Sequence, residues 1–389
     1  MSTPTKASVA DDVEIVRRIF AHIDAGTTDE GDAWREPVQN YLDPSRFTNE
    51  METLRSFPSV YLPSAAIPNA GDHAERVTFG VPLFAVRDRD GRARIFRNSC
   101  RHRGMALVEG PGCTHAFVCR YHGWTYRLDG SLSHVPHAEA FPDLDMPTRG
   151  LVEVDSREVD GLIVIGPLSP TADPQRADAA MAALTDGSPW RNKLLPAERL
   201  FAVRPAVRPM NWKVLVEQFL EGYHIRTTHK DTFYPIQYDD LNVVEAFGPN
   251  TRITFPYQNI EHLRDRPEST WTVGHRVTYV YHLFPNVMFA TFPNQALVIT
   301  IDPIDVDHTT VTIYAMVTPE VAKRASANPD AAAGARNLLN EGGVEDNEMS
   351  EGVQRGLHAG ANEFVEFGRH ESAIGRFHAN LDERLACTR

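Results

Sequence analysis

The stretch that decides the fold is CRHRG at residues 100–104, followed by CRYHGW at residues 119–124. Each half contributes one cysteine and one histidine, in the order Cys100, His102, Cys119 and His122. A [2Fe–2S] centre takes two ligands per iron, and histidine in place of cysteine on one iron raises its reduction potential. A glycine after each pair allows the backbone to approach a cluster closely. The two segments therefore predict a pair of loops that hold an iron–sulfur cluster.

A zinc site and a coincidence of cysteines are the alternatives for these residues. A C2H2 zinc finger places its cysteines together and its histidines together, whereas the two types alternate here. Four cysteines in 389 residues are too few for a disulfide framework. Cys113 and Cys387 match neither loop, and we expect them to be ordinary residues.

The composition excludes several classes of protein. Hydrophobic residues make up 42% of the chain, which supports a large buried core, and the formal net charge is −13. That charge gives no electrostatic basis for binding a phosphate backbone. The N-terminus carries charges where a signal peptide would be apolar, and no run of about 18 apolar residues occurs. We therefore expect a soluble, cytoplasmic protein that binds neither nucleic acid nor a membrane.

Changes in hydrophobic pattern predict three segments. Residues 1–45 have apolar side chains at helical spacing and should form N-terminal helices that pack with the last segment. Residues 46–165 contain short runs of Val, Phe and Ile between turn residues, as expected for an all-β domain. Residues 166–389 form the last segment, and they begin with a stretch to Ser188 that resembles a connection.

Within the last segment, helix and strand patterns alternate. The spacing predicts a helix over Lys213–Arg226 and helical structure from about Val321 onward. Dense Val, Tyr, Phe, Thr and Ile predict strands over residues 276–301 and 308–317. Aromatic side chains of the first strand region could line an apolar pocket or pack in the core. These candidates are Tyr279, Tyr281, Phe284, Phe289 and Phe292.

A second group of polar residues lies on the predicted helix. Glu217, Glu221 and His224 are spaced i, i+4 and i+7, which places them on one helix face. His229 falls off that face, so the helix must distort or end near residues 227–228 if both imidazoles bind one ion. Two imidazoles and a distant carboxylate make the facial triad that leaves positions open on Fe(II). A solvated surface helix is the alternative.

The two cysteine–histidine loops resemble the Rieske motif of ring-hydroxylating oxygenases. That resemblance assigns Cys100 and Cys119 to one iron of a [2Fe–2S] cluster and His102 and His122 to the other. A mononuclear Fe(II) is the second cofactor it implies.

The run Glu221-x-x-His224-x4-His229 resembles the catalytic motif of the same family. His224 and His229 would bind the mononuclear iron, and Asp346, in an acidic stretch of a C-terminal helix, is at the position of the carboxylate ligand. A solvated acidic face is the alternative for Asp346. The acidic residue at 221 would carry electrons from the cluster of one subunit to the iron of its neighbour. Glu in place of the commoner Asp resembles the branch that oxidises quaternary ammonium compounds, although that branch usually has Asn where Gln218 stands.

The resemblance implies an α+β fold, with an all-β Rieske [2Fe–2S] domain and a helix-grip, START-like catalytic domain built on an antiparallel sheet. It also implies a homotrimer. The expected function is a terminal oxygenase that uses O2 and NAD(P)H electrons to hydroxylate an aromatic or other apolar small molecule. Because the sequence has no GxGxxG turn, a separate reductase, with or without a ferredoxin, must deliver the electrons. The alternatives are a monooxygenase of quaternary ammonium or methylated compounds and a Rieske electron carrier without catalysis.

Overall fold

A computed structural model of the chain describes residues 9–186, 189–190, 199–293, 295–327 and 329–387. Leu54–Asp186 forms one compact unit, and the described residues before and after it form a second. The predicted α+β architecture is confirmed. The predicted boundaries of the N-terminal segment, the Rieske domain and the catalytic domain, at residues 1–45, 46–165 and 166–389, stay predictions.

The N-terminal elements begin with a capped amphipathic helix. Asp11 accepts a hydrogen bond from the Glu14 N–H at its start, and Gly26 ends it in the left-handed conformation. Ile15, Val16, Ile19 and Phe20 form its buried face. The elements of this segment are α1 (Asp12–Ala25), β1 (Trp34–Pro37), α2 (Gln39–Leu42) and α3 (Pro44–Leu54).

The unit Leu54–Asp186 is built mainly from short antiparallel strands, as the sequence predicts. Its elements are β2 (Ser59–Pro63), β3 (Asp72–Thr78), β4 (Val81–Arg87), β5 (Ala93–Arg97), β6 (Gly112–Cys113), β7 (Phe117–Val118), β8 (Thr125–Tyr126), β9 (Leu132–His134), β10 (Glu153–Val154), β11 (Ser156–Val159), β12 (Leu162–Ile165) and α4 (Pro174–Thr185). The strand orders within the described residues are β10-β5-β4-β3-β6, β11-β12-β2 and β7-β8-β9. Helix α4 falls in the expected connection, where Asp173 caps an alanine-rich run.

The second unit continues with a large antiparallel sheet and the helices that cover it. Its elements are β13 (Arg199–Arg208), α5 (Trp212–Glu217), α6 (Ile225–Thr228), β14 (Val243–Phe247), β15 (Asn250–Pro256), β16 (Val277–Leu283), β17 (Val287–Phe292), β18 (Gln295–Pro303), β19 (Thr309–Val317), α7 (Pro319–Ala327), α8 (Pro329–Leu357), β20 (Phe364–Phe367) and α9 (Ser372–Cys387). The sheet order over the described strands is β13-β19-β18-β17-β16-β15-β14, and β1 pairs with β20. Helix α5 contacts β18, and α8 contacts both α5 and α6.

The predicted helix over Lys213–Arg226 is wrong in its extent. Helix α5 ends at Glu217, and the N–H groups of Phe219 and Leu220 bond to carbonyls three residues back, which tightens the last turn. The chain then turns through Gly222, a poor helix former, before α6 begins at Ile225. The interruption separates the polar side chains that an unbroken helix would align.

Every helix in the described part of the chain is too short or too polar to span a lipid bilayer.

Candidate metal centres

The two cysteine–histidine loops share one backbone design. In each, the cysteine N–H donates to a carbonyl five residues later, and a glycine N–H donates back to the cysteine carbonyl, at 2.8–2.9 Å. The glycines, Gly104 and Gly123, have φ angles of +82° and +75°. Because this left-handed region disfavours side chains, the glycine near the end of each loop is part of the loop geometry. The two loops therefore hold their cysteines in matching backbone hydrogen bonds, with the histidine two residues after Cys100 and three after Cys119.

The four predicted cluster ligands meet between these loops. Cys100 and Cys119 are buried, each 3% exposed, and the His102 and His122 ring centroids lie 4.6 Å apart. Burial is the main cause that raises the pKa of the Cys100 thiol, and the adjacent Cys119 thiol adds to it. Two inward thiols beside two imidazoles fit a [2Fe–2S] cluster that takes sulfur ligands on one iron and nitrogen ligands on the other.

The histidines lie nearer the surface than the cysteines. The His102 ring stacks on Trp124 at 5.0 Å with an interplanar angle of 7°, and His122 is exposed. Desolvation lowers the pKa of His102, and the charges of His122 and Arg103 lower it further. A neutral imidazole is the form that binds a metal. This end of the site therefore combines solvent exposure with imidazoles in the form that binds a metal.

Tyr126 is part of this site, although the motif spacing does not reveal it. Its hydroxyl oxygen accepts a hydrogen bond from the Arg101 N–H at 3.0 Å and lies 3.3 Å from Sγ of Cys100. Because the amide already donates to that oxygen, the phenolic proton is free to point at the sulfur. The tyrosine is thus placed to stabilise negative charge on Cys100, a predicted cluster ligand.

The second centre brings together His224, His229 and Asp346. One ligand atom from each lies within 4.8 Å of the others, and no other described group of at least three such residues is as close. Oδ1 of Asp346 lies 3.0 Å from Nε2 of His229 and 3.5 Å from Nε2 of His224. Asp346 lies on α8, the C-terminal helix predicted to carry it, and is 17% exposed. It is therefore not on a solvated acidic face.

A carboxylate also holds the other nitrogen of each imidazole. Nδ1 of His224 contacts Glu221, which additionally accepts the His224 backbone N–H at 3.1 Å. Nδ1 of His229 lies 2.8 Å from Glu345, whose same oxygen accepts the Thr232 hydroxyl. Metal-binding histidines usually donate their second ring N–H to a carboxylate or carbonyl in this way. Both Nε2 atoms are thus directed toward Asp346, as one shared ion would require.

The carboxylates around this centre change how its histidines titrate. Burial would lower the pKa of His224, but Glu221 and Asp346 outweigh it, so that pKa lies above its ordinary value. Burial opposes the same rise at His229, where the hydrogen bond and charge of Asp346, aided by Glu345, raise the pKa. An excess of negative charge around two imidazoles fits a divalent cation.

Glu217 does not belong to this centre. Its Oε1 accepts the Tyr41 hydroxyl at 2.7 Å and lies 2.8 Å from Nε2 of His378 on α9. The prediction that Glu217 shares a face with Glu221 and His224 is wrong, because α5 ends before the pattern repeats.

An apolar cavity of about 160 Å³ opens on the second centre. It is lined by Glu221, His224, His229 and Asp346, by side chains of α5, α6 and α8, and by one face of the sheet. Of the aromatic candidates, Phe292 lines it. Tyr279 and Tyr281 do not, because alternate strand residues point to opposite faces and the cavity is lined by Thr278 and Val280. The Tyr279 ring instead lies against Arg252, whose Cζ atom is 4.8 Å from the ring centroid.

Two family models match the chain, one over each centre. Residues 59–149 match the Rieske [2Fe-2S] domain, and residues 185–387 match the catalytic domain of the ring hydroxylating alpha subunit. The first match contains the four cysteine and histidine residues of the loops. The second contains His224, His229 and Asp346.

Proteins of known activity resemble the chain in sequence. The carnitine monooxygenase oxygenase subunit of Escherichia coli (strain K12) is 31% identical over 212 residues, which cover 54% of this chain and 55% of that protein. The biphenyl 2,3-dioxygenase subunit alpha of Rhodococcus jostii (strain RHA1) is 33% identical over 201 residues, 48% of this chain and 43% of that protein. The chain thus spans about half the length of these relatives.

The fold resembles that of a solved quaternary ammonium Rieske monooxygenase. The TM-score is 0.73 at 23% identity, and the superposition covers 92% of this chain and 96% of the other.

Proposed function

Since the chain belongs to the family of ring-hydroxylating alpha subunits and carries a Rieske [2Fe–2S] domain, we propose that it is a terminal oxygenase acting on an apolar small molecule. The observation that carries this proposal is the apolar cavity whose wall holds His224, His229 and Asp346. A facial triad with open positions beside an apolar pocket suits attack of activated oxygen on a hydrocarbon.

Each group of residues has a distinct role in this proposal. Cys100, His102, Cys119 and His122 hold the cluster, and His224, His229 and Asp346 hold Fe(II). When bound, the two groups supply single electrons and an open coordination site for O2. Glu345 keeps the His229 Nε2 lone pair toward the metal by accepting the proton on Nδ1.

Glu221 has two roles in the proposal. It orients His224 through its Nδ1 contact, and it provides the polar link through which electrons arrive from the cluster of a neighbouring subunit. This route requires a homotrimer, a reductase with or without a ferredoxin, and NAD(P)H as the electron source.

The cavity favours an apolar substrate with a single ring. Its volume of about 160 Å³ is close to that of an engineered apolar protein cavity of about 150 Å³ that binds benzene. No lysine or arginine occurs among the described residues that line it, so an anionic substrate would have no counter-charge. Aliphatic side chains of β16 to β19 and the phenylalanines of the lining provide the apolar contacts.

Oxidation of a quaternary ammonium compound is the second candidate function. The carnitine monooxygenase subunit is similar over about half of the chain. Glu221 supplies negative charge to the cavity, and Phe219, Phe233, Phe255 and Phe292 line it, which suits a cation because aromatic rings attract cations. The lack of a described lysine or arginine in the lining disfavours carnitine itself, whose carboxylate would have neither as a partner.

A single turnover distinguishes the candidates without a partner protein. The anaerobically purified enzyme, reduced chemically and then exposed to 18O2, is offered single-ring aromatic compounds and, separately, quaternary ammonium compounds. Isotope in a hydroxylated aromatic product supports the leading proposal, whereas aldehyde release or hydroxylation from the ammonium panel supports the second. No product from either panel, together with no iron beyond the two of the cluster, would leave an electron carrier.

A further inference from the structure

The sheet side of the cavity carries a hydroxyl group in otherwise apolar surroundings. Among the described strand residues that line the cavity, Thr278 on β16 is the one with a polar side chain. Thr278 is 4% exposed, and its Oγ1 lies 2.6 Å from the hydroxyl of Tyr257. A buried hydroxyl destabilises a fold unless it is hydrogen-bonded, and Tyr257 provides that partner for Thr278.

Gln237 extends this polar region along the wall. Gln237 lines the cavity and stands opposite Tyr257, which is itself 8% exposed. The backbone of residues 236–238 pairs with that of residues 256–258, which fixes Gln237 against Tyr257. Thr278, Tyr257 and Gln237 thus form one polar patch, in which Tyr257 is hydrogen-bonded to Thr278 and paired with Gln237 through the backbone.

The polar patch has hydrogen-bonding capacity left over. The two hydroxyls and the amide together have four donor hydrogens, and the bond between Thr278 and Tyr257 uses one of them. The polar patch therefore retains donor hydrogens and lone pairs for a group in the cavity. Buried polar groups in folded proteins are nearly always satisfied, by protein, water or ligand.

The polar patch carries no formal charge. The acidic groups of the lining, Glu221 and Asp346, contact the two histidines, and no lysine or arginine occurs among the described lining residues. An ammonium or carboxylate group would therefore gain no ionic partner from the polar patch. A group that both donates and accepts without charge is the best match.

We propose that Thr278, Tyr257 and Gln237 form a subsite for an uncharged hydrogen-bonding substituent, such as a hydroxyl, on a single-ring substrate. The proposal rests on the proposed function, because it narrows the substrate class of the same cavity. The apolar wall selects the ring, and the polar patch fixes its orientation relative to His224, His229 and Asp346.

Ethylbenzene and benzyl alcohol test the subsite, because a hydroxyl in one replaces a methyl in the other. Their dissociation constants are measured by anaerobic titration calorimetry on the holoenzyme. Thr278→Val should shift the ratio of the two constants toward ethylbenzene by about threefold to tenfold, the worth of a neutral hydrogen bond. Tyr257→Phe should shift it in the same direction and provides a second variant if the first disturbs packing.

Thr254→Val is the matched control. Thr254 lies on the neighbouring strand β15, pairs with Tyr279, and has a buried hydroxyl without a partner. Because it does not line the cavity, the ratio should stay at the wild-type value. An unchanged ratio in both test variants, or binding of neither probe, overturns the subsite. Tight binding without oxygen incorporation in a single turnover contradicts the proposed function but leaves the subsite standing.

Discussion

Nδ1 of His229 lies 2.8 Å from Oε2 of Glu345, on the same helix as Asp346. Helix α8 therefore contacts both nitrogens of one imidazole through consecutive carboxylates. An N–H donated to Glu345 leaves Nε2 with a lone pair that faces Oδ1 of Asp346. Helix α8 thus both completes the predicted iron site and fixes the tautomer of one of its histidines.

Glu345→Gln should weaken iron binding without removing a ligand. A neutral amide is a poorer acceptor for the His229 N–H, and loss of such a partner typically costs about tenfold to a hundredfold in metal affinity. Iron titration of cluster-loaded protein measures the effect. Glu348→Gln is the control, since Glu348 lies about one helical turn after Glu345 and is exposed. This variant should bind iron as tightly as the wild type does. Equal affinity in both variants would contradict the role of Glu345.

Glu221→Gln should lower turnover in a way that added iron does not restore. Saturating Fe(II) compensates for a weakened site, so activity should recover in Glu345→Gln. If Glu221 is also part of the electron route, turnover by Glu221→Gln should stay about tenfold or more below that of the wild type at full iron occupancy. The rate at which O2 reoxidises the cluster in the presence of substrate is measured for the wild type and both variants. Full recovery would restrict Glu221 to orienting His224.

Tyr126→Phe should lower the reduction potential of the cluster. Removal of the hydroxyl that faces Sγ of Cys100 removes a hydrogen bond that stabilises the more negative, reduced state. Such a bond contributes about 1 kcal/mol, so the shift should be tens of millivolts. Redox titration monitored by electron paramagnetic resonance measures it. Tyr121→Phe, which alters an exposed tyrosine beside His122, should change the potential much less.

A buried ion pair on α9 should make stability depend on pH. His378, 1% exposed, lies 2.8 Å from Glu217 and 3.4 Å from Glu36, and Tyr41 also faces it. Burial would lower the pKa of His378, but the two carboxylates raise it to about 9.

Because the folded pKa of His378 lies above its unfolded value, its contribution is complete below about pH 6.5 and is lost as the pH rises through 9. The free energy of unfolding of the wild type should fall by up to about 3 kcal/mol relative to His378→Gln across that window. Urea denaturation at pH 6, 7.5 and 9.5 tests this. If the free energies of unfolding of the two proteins changed with pH in parallel, the ion pair would not contribute to stability in this way.

The sequence revealed the parts of the sites whose residues are close in the chain. Cys100 and His102 share one loop, and Cys119 and His122 share the next, so the sequence indicates two loops that each supply one cysteine and one histidine. His224 and His229 are likewise local. Asp346 comes from a distant helix, and its placement depended on the family resemblance.

The sequence could not show which face of a strand or helix is turned toward the cavity and the iron site. Whether Thr278 or Tyr279 faces the cavity depends on which sheet face is covered, and two-residue alternation is compatible with either. Glu345 lies among several acidic residues, so periodicity alone does not show that it meets Nδ1 of His229. Glu217 matched a helical face that ceases to exist where α5 ends. In each case tertiary packing supplied the missing information.

We propose that the chain holds two separate iron centres on two separate ligand sets. The most direct test measures iron content and cluster absorbance of the wild type, His224→Ala and Asp346→Ala after anaerobic loading. We expect one iron per chain beyond the two of the cluster in the wild type. Both variants should lose that iron and all oxygen incorporation, with an unchanged cluster spectrum. Loss of the cluster spectrum, or retention of the additional iron in both variants, would contradict the division of ligands.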